Sequence, residues 1–381
     1  MALSKLVFNF LPDDIAEILD EKIQTFLITL KDGYKLKEFL KDIDETINSE
    51  CINLVDALYI NDQKTIKKRF KNYNVIQKIF DYWIGMNFNY FCSEEMINDL
   101  TAKIVEEDNI GGYSKIKTLL TRINNKVFYW LSENTKDNQK TFLFIAKRFD
   151  TSNSRHLRIN VHNNLTVQDD YRTINSISKR LCQKIAEEIR SNVANFEPTL
   201  FGVISTKTGE KVASLMNLRQ PLPDILFLTG GGGSGKTTHL KKFQSDIFDD
   251  LSYGETNDSL QSYHYIPIFI SLTDMRERET IKQYIVENYP LYNVILNEEK
   301  LTAVFAQQNS LIYYVIMLDG LNEYCGNTED LFREIKTIRN KGNVKFIITS
   351  RNSLSEINIA SNKLPNISEV VVEHISREQA C

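Results

Sequence analysis

A glycine-rich segment of the chain, Gly230 to Thr237, constrains the fold more than any other feature of the sequence. It satisfies the spacing GxxxxGK[ST], follows the apolar run Ile225 to Leu228 and precedes a helix-forming stretch. Such a loop wraps nucleotide phosphates with its backbone N–H groups, which requires positive φ angles and no intruding side chains. The positive end of the following helix adds to the attraction. The segment therefore predicts a P-loop, or Walker A motif, at the end of a buried strand.

Individual positions of this loop have expected roles. Lys236 should reach the β and γ phosphates, Thr237 should place its hydroxyl on Mg²⁺, and Thr238 should bond the α phosphate. The residues expected to bind nucleotide are Gly230, Gly231, Gly232, Gly233, Ser234, Gly235, Lys236, Thr237 and Thr238. The alternative is a glycine-rich surface turn, and the pattern arises by chance in roughly 1% of chains this long. The flanking strand and helix favour the P-loop further.

A second motif follows the apolar run Leu311 to Leu318, a candidate for a buried strand that ends at Asp319. The carboxyl ends of parallel strands meet at one sheet edge, so Asp319 should lie beside the phosphate loop as the Walker B partner of Mg²⁺. Glu323 is the candidate general base for an attacking water. A plain turn after a strand is the alternative when Asp319 is considered alone. The P-loop upstream favours the magnesium role.

Another apolar run, Val344 to Thr349, leads to Arg351 at the same predicted sheet edge. Arg351 there is a candidate sensor of the γ phosphate and joins Lys236 and Glu323 as a catalytic candidate. An arginine after a strand is by itself more often a solvated surface residue. The assignment therefore depends on the neighbouring motifs.

The chain of 381 residues is longer than one typical domain, so two or three compact units are expected. From Pro221 onward, short apolar runs alternate with helix-length stretches, which is typical of a parallel α/β sheet flanked by helices. The runs are 225–229, 265–271, 313–318 and 344–349. Upstream, no proline occurs between Pro12 and Pro198, and apolar residues recur at helical spacing in stripes that begin at Leu36 and Ile174.

These patterns predict three regions along the chain. Residues 1–135 should form a mainly helical N-terminal domain, and residues 136–220 a mixed α/β connecting region with hairpins near 158–167 and 203–213. Residues 221–381 should form an α/β P-loop NTPase domain with a parallel sheet flanked by helices.

Composition restricts the partners and the setting. The net charge of -4 provides no global attraction to nucleic acid. A lysine-bearing helix face, with Lys64, Lys67, Lys68, Lys71 and Lys78, is better explained as a solvated amphipathic helix. Nucleic acid is therefore not assigned as a partner. The five cysteines are scattered without metal or redox spacing, and no apolar run approaches the roughly 20 residues of a membrane span. A cytoplasmic protein is expected.

Four motifs stand in order along the chain: GGGGSGKTT at 230–238, YIPIFISL at 265–272, LDGLNE at 318–323 and ITSR at 348–351. This ordered set resembles the NACHT NTPases of the STAND class, which are NLR-like. The abundance of Asn, Ile and Lys, interpreted as genome base composition, points to their bacterial antiviral type. Gly320 directly after the magnesium aspartate, with an acidic residue three positions beyond it, favours NACHT over the NB-ARC relatives. One departure is Asn322, where family members usually carry Asp.

The resemblance implies ATP or ADP and Mg²⁺ as ligands, slow regulated hydrolysis, and a signalling switch in antiviral or innate immune defence. Nucleotide state would control homo-oligomerisation and an N-terminal effector or adaptor in 1–135, in response to an unknown trigger such as a phage or pathogen protein. The winged-helix and sensor regions of the family are absent, so the chain is expected to be C-terminally truncated. Two alternatives stay open: a housekeeping ATPase of the AAA+ or nucleotide-kinase kind, and a scaffold that retains nucleotide.

Overall fold

A computed structural model of the protein describes thirteen stretches of the chain. They are 38–46, 70–84, 90–106, 113–135, 140–151, 168–194, 203–218, 221–253, 264–291, 295–307, 312–340, 342–355 and 367–373, apart from residues 40, 44, 71, 91, 141, 142, 207 and 208. The chain divides into two compact units, 1–179 and 180–381, and the division falls within one long helix, Gln168–Ala194. The domain boundaries at 135 and 220 stay predictions.

Unit 1 is mainly helical in its described residues, which include no strand. Its helices are α1 (Val75–Trp83), α2 (Ser93–Glu106), α3 (Tyr113–Asn134) and the first part of α4 (Gln168–Ala194), with further helical residues near 38–46 and at 143–151. The prediction of a mainly helical N-terminal region is thereby confirmed. The predicted hairpin near 158–167 and the lysines at 64, 67, 68 and 71 lie outside the described residues.

Aromatic packing fills the core of unit 1. Phe39 stacks on Trp130 with 4.6 Å between the ring centroids, and Phe39 belongs to the predicted apolar stripe that begins at Leu36. The fully buried Trp83 packs against Phe128 and donates its indole N–H to the Asn124 side chain at 2.9 Å. Aromatic pairs contribute roughly 0.5–1.5 kcal/mol beyond the area they bury. This core holds the helices together.

A buried polar cluster also lies in unit 1. Asp150 accepts hydrogen bonds from the Tyr82 hydroxyl at 2.5 Å and from the backbone N–H and hydroxyl of Ser93 at 2.6 and 2.8 Å. The Lys179 ammonium lies 3.9 Å from the centroid of the Tyr82 ring. Burial lowers the pKa of Lys179 to about 8, against an opposing effect of Asp150. Lys179 is therefore a cation held in an apolar setting by one carboxylate and one ring face.

Unit 2 contains a seven-stranded sheet of order β2-β1-β7-β3-β6-β5-β4. Its strands are β1 (Ile204–Thr206), β2 (Lys211–Val212), β3 (Ile225–Thr229), β4 (His264–Ser271), β5 (Ile312–Asp319), β6 (Val344–Ser350) and β7 (Ile367–Val372). The five strands from β7 to β4 are parallel, and β1 joins them antiparallel to β7. Helices α5 (Lys236–Tyr253), α6 (Ile281–Asn288), α7 (Glu298–Phe305) and α8 (Thr328–Arg339) connect the strands.

The sheet confirms the predicted fold class. All five residues of β3 and all seven of β6 are buried, as expected for parallel strands covered on both faces. The predicted hairpin at 203–213 is the β1–β2 pair, in which Ile204 faces Val212 and Gly209 takes a φ of 81°. Strand β7 was not predicted, because Ser368 and Glu369 interrupt its apolar pattern. In the described part of the chain, no helix is long and apolar enough to cross a membrane.

Candidate nucleotide site

The phosphate loop leaves the carboxyl end of β3, the strand that lies between β7 and β6. Gly230, Gly233 and Gly235 take φ angles of 149°, 73° and 94°, which side chains rarely tolerate. A Cβ at Gly230 would lie 2.7 Å from the carbonyl oxygen of Val372, whereas a Cβ at Gly232 would meet nothing within 4 Å. Glycine is thus required where the loop passes β7, and the tip of the loop is open.

Lys236, the first residue of α5, folds back over the loop. Its Nζ donates to the carbonyl oxygens of Gly230 at 2.6 Å and Gly231 at 2.8 Å. Desolvation lowers the pKa of Lys236, the charge of Arg351 lowers it further, and the carboxylates of Asp319 and Glu323 oppose the shift. These electrostatic effects require the three charged groups to lie near the amine. In the structure, the lysine occupies acceptors of its own loop.

Asp319 joins the phosphate loop to the neighbouring strand. One carboxylate oxygen accepts a hydrogen bond from the Thr237 hydroxyl at 2.8 Å, and the other accepts from the Thr349 hydroxyl at 2.6 Å. Thr349 in turn accepts the backbone N–H of Gly320 at 2.7 Å. A hydroxyl and a carboxylate oxygen at this spacing are the hard donors that suit Mg²⁺, which usually takes one or two protein ligands beside water and phosphate oxygens. The predicted pair Thr237 and Asp319 fits that ion.

Glu323 is brought back toward Asp319 by a short 3₁₀ helix, Leu321–Glu323. Gly320 begins this turn with a left-handed φ of 85°, and its carbonyl accepts the Glu323 N–H at 2.8 Å. The Glu323 carboxylate forms an ion pair with the Arg351 guanidinium. Both side chains are about half exposed, at 48% and 57%, so the pair contributes at most about 1 kcal/mol and can exchange partners readily.

The predicted residues therefore meet at one sheet edge. Strand register explains this, because Ser271 faces Asp319, Leu318 faces Ile348, and Thr229 faces Ser350 across the parallel pairs. The structure brings together Lys236, Thr237, Asp319, Glu323 and Arg351. Thr238 is half-buried on α5, and its expected bond to the α phosphate stays a prediction.

Two residues near the site were missed by sequence reasoning. Thr349 shares the Asp319 carboxylate with Thr237. Glu369 on β7 accepts from the Thr229 hydroxyl at 3.3 Å. Asn322, which the sequence showed as a departure from the family motif, accepts from the Ser350 hydroxyl. The polar end of the β6 motif was the one signal in the sequence that pointed toward Thr349.

No family model matches the chain, and no curated protein matches it. Among solved structures, PCH-2 of C. elegans is similar at 11% identity with a TM-score of 0.24, over 51% of this chain and 41% of that one. Trip13 of Rhizobiales is similar at 13% identity with a TM-score of 0.23, over 57% and 65% of the two chains. The chain thus spans less than two thirds of either protein.

These likenesses are too weak to assign an activity. The fold itself rests on the parallel sheet, the glycine loop between β3 and α5, and the aspartate that ends β5 beside that loop. Unit 2 has the fold of a P-loop NTPase.

Proposed function

We propose that the P-loop domain binds ATP with Mg²⁺ and hydrolyses it slowly, as a nucleotide switch of the NACHT type. The observation that carries the proposal is the 2.8 Å hydrogen bond between Thr237 and Asp319, which joins the two predicted metal ligands from distant parts of the chain. Gly320 adds support, because its left-handed φ allows the turn that returns Glu323 to the same edge. In the motif Asp-Gly-x-x-Glu, the glycine thus allows the turn that brings the glutamate to the edge where the aspartate lies.

Each of the residues at this sheet edge has a role in the proposed reaction. Lys236 leaves the carbonyls of Gly230 and Gly231 and donates to the phosphates of ATP. Thr237 and Asp319 would hold Mg²⁺, which would neutralise phosphate charge. Glu323 orients the attacking water and accepts its proton.

Arg351 has a second partner in this scheme. Its guanidinium pairs with Glu323 in the nucleotide-free structure, where Glu323 is consequently occupied. On binding ATP, Arg351 turns to the terminal phosphate, with which a guanidinium forms stronger charge-assisted bonds than with an exposed carboxylate. That exchange releases Glu323 to orient the attacking water.

The wider role follows from the resemblance. Nucleotide state would control assembly into a homo-oligomer, and a trigger such as a phage or pathogen protein would shift the balance in antiviral or innate immune defence. Residues 1–135 would serve as effector or adaptor, whose clustering raises its effective concentration. A cytoplasmic setting suits this role.

The test is the nucleotide content, turnover and mass of the purified chain. Retained ADP, slow phosphate release and a larger complex with ATP are the expected results for the wild type, and Lys236→Ala should lose all three. Lys241→Ala is the matched control, because Lys241 is exposed on the same helix. Fast turnover without any change in mass would instead favour a housekeeping AAA+-like ATPase. Bound nucleotide without any turnover would favour a nucleotide-retaining scaffold.

A further inference from the structure

Asn322 replaces the aspartate that the motif usually carries, and its contacts show what it does in this chain. Its Oδ1 accepts a hydrogen bond from the Ser350 hydroxyl at 3.1 Å and another from the backbone N–H of Arg351. A backbone N–H can only donate, so the amide oxygen and not the amide nitrogen must face it. Asn322 therefore binds the main chain that carries Arg351.

A second side chain holds the other end of the same segment. Glu369 accepts the backbone N–H of Leu354 at 3.0 Å and the hydroxyl of Thr229 at 3.3 Å. Thr229 is the last residue of β3, directly before the phosphate loop. The segment from Ser350 to Leu354 is thus fixed at one end to the Glu323 turn and at the other to the base of the phosphate loop.

Charge explains why an amide suits the first of these positions. A carboxylate at position 322 would accept the same two hydrogen bonds, but it would place another negative charge beside Arg351. The guanidinium would then be attracted to that carboxylate in addition to Glu323. A neutral carbonyl fixes the backbone and leaves the guanidinium free to exchange between Glu323 and a phosphate.

We propose that Asn322 is a positioning residue, whose carbonyl fixes the main chain of Arg351 so that only the arginine side chain moves when nucleotide binds. The proposal rests on the proposed ATPase function of the same site. Asn322 touches neither the metal ligands nor the phosphate loop through the hydrogen bonds described above, so it acts through Arg351. Its effect should appear in the catalytic step and not in nucleotide affinity.

A double-mutant cycle tests this. Asn322→Ala should lower kcat roughly tenfold, as expected for the loss of a hydrogen bond that positions a catalytic group, with KM for ATP changed less than about twofold. In an Arg351→Ala background, Asn322→Ala should produce no further loss. Asn322→Asp, which keeps the acceptor, should retain the wild-type KM but turn over more slowly than the wild type. Full additivity of Asn322→Ala and Arg351→Ala, or unchanged kcat in Asn322→Ala, would overturn the proposal.

The control is Asn327, which caps α8 by accepting the Glu329 N–H at 2.8 Å. Asn327→Ala should lower the unfolding temperature without lowering kcat, because its hydrogen bond serves only the helix. A fall in kcat equal to that of Asn322→Ala would show that any loosened turn in this region impairs turnover, and would refute a specific role for Asn322.

Hydrogen exchange separates this proposal from the ATPase assignment. The Arg351 amide should be protected in the nucleotide-free wild type and should exchange at least about tenfold faster in Asn322→Ala. Suppose that Asn322→Ala loses the protection but the wild type shows no ATP turnover. The anchoring role of Asn322 would then stand, and the proposed function would be rejected. An Arg351 amide that exchanges at the same rate in both proteins would reject the anchoring role, whatever the turnover.

Discussion

Removing the amine of Lys236 is the most direct perturbation of the phosphate loop. In the nucleotide-free structure, Nζ bonds the carbonyls of Gly230 and Gly231. Two charge-assisted bonds to phosphate contribute roughly 3–6 kcal/mol, and giving up the two bonds to the loop carbonyls costs about 1–3 kcal/mol. The difference is about 2–3 kcal/mol. Lys236→Ala should therefore weaken the binding of ATP roughly 30- to 140-fold.

Titration calorimetry with a slowly hydrolysed ATP analogue and Mg²⁺ measures this loss directly. Lys241→Ala removes an equal charge from the same helix and should leave the affinity within about twofold, since Lys241 is exposed and salt screens exposed charges. The unfolding temperature of nucleotide-free Lys236→Ala should stay close to that of the wild type, because water can replace the amine at the two carbonyls. An affinity loss below about threefold, or an equal loss in both variants, would refute the proposed role of Lys236.

Four further outcomes are expected. Glu323→Gln should bind ATP like the wild type but release no phosphate, and wild-type turnover would remove Glu323 from the mechanism. Asp319→Asn should raise the Mg²⁺ concentration needed for half-maximal turnover at least about tenfold, in a magnesium titration. Gly230→Ala should lower the free energy of unfolding by about 1–3 kcal/mol, because its Cβ would clash with the Val372 carbonyl. Gly232→Ala should lower it by less than about 1 kcal/mol, since its Cβ meets nothing within 4 Å, and thermal unfolding measures both. In the unfolded chain a lysine has a pKa of 10.5 and stays protonated from pH 7 to 9, whereas folded Lys179, with a pKa of about 8, loses its proton over that range. The free energy of unfolding of unit 1 should therefore rise by about 1.4 kcal/mol from pH 7 to 9. Urea unfolding followed by tryptophan fluorescence measures that gain, which should be absent in Lys179→Met.

The central strands of unit 2 were predictable because a parallel strand buried on both faces is a continuous apolar run. Predicted strand 225–229 matches β3. The predicted runs 265–271 and 344–349 are one residue short of β4 and β6 at one end, and the run 313–318 is one residue short of β5 at each end. Strand β7 escaped because it alternates between exposed and buried residues at the side of the sheet where the antiparallel hairpin begins. The buried Lys179 and its partner Asp150 also escaped, because a lone lysine in a helix gives no sign of burial.

The parts of the site that could be predicted are those defined by local spacing. The phosphate loop and the turn from Asp319 to Glu323 each lie within one short segment, and both were found. The contacts of Thr349 and Glu369 depend on which strands are neighbours. Glu369 approaches Thr229 because β7 pairs with β3, an arrangement between segments 140 residues apart. Spacing along the chain carries no information about such a pair.

For Asn322, the motif and the contacts in the structure lead to different interpretations. The family motif usually has an aspartate at this position, so the loss of its carboxylate suggests weakened hydrolysis. Its contacts require only a carbonyl oxygen, which Asn supplies as well as Asp does. The acidic group that faces Arg351 is Glu323, which the sequence retains. The rate of turnover should therefore depend on how readily Arg351 exchanges Glu323 for the terminal phosphate, and an amide at position 322 favours that exchange because it adds no competing charge.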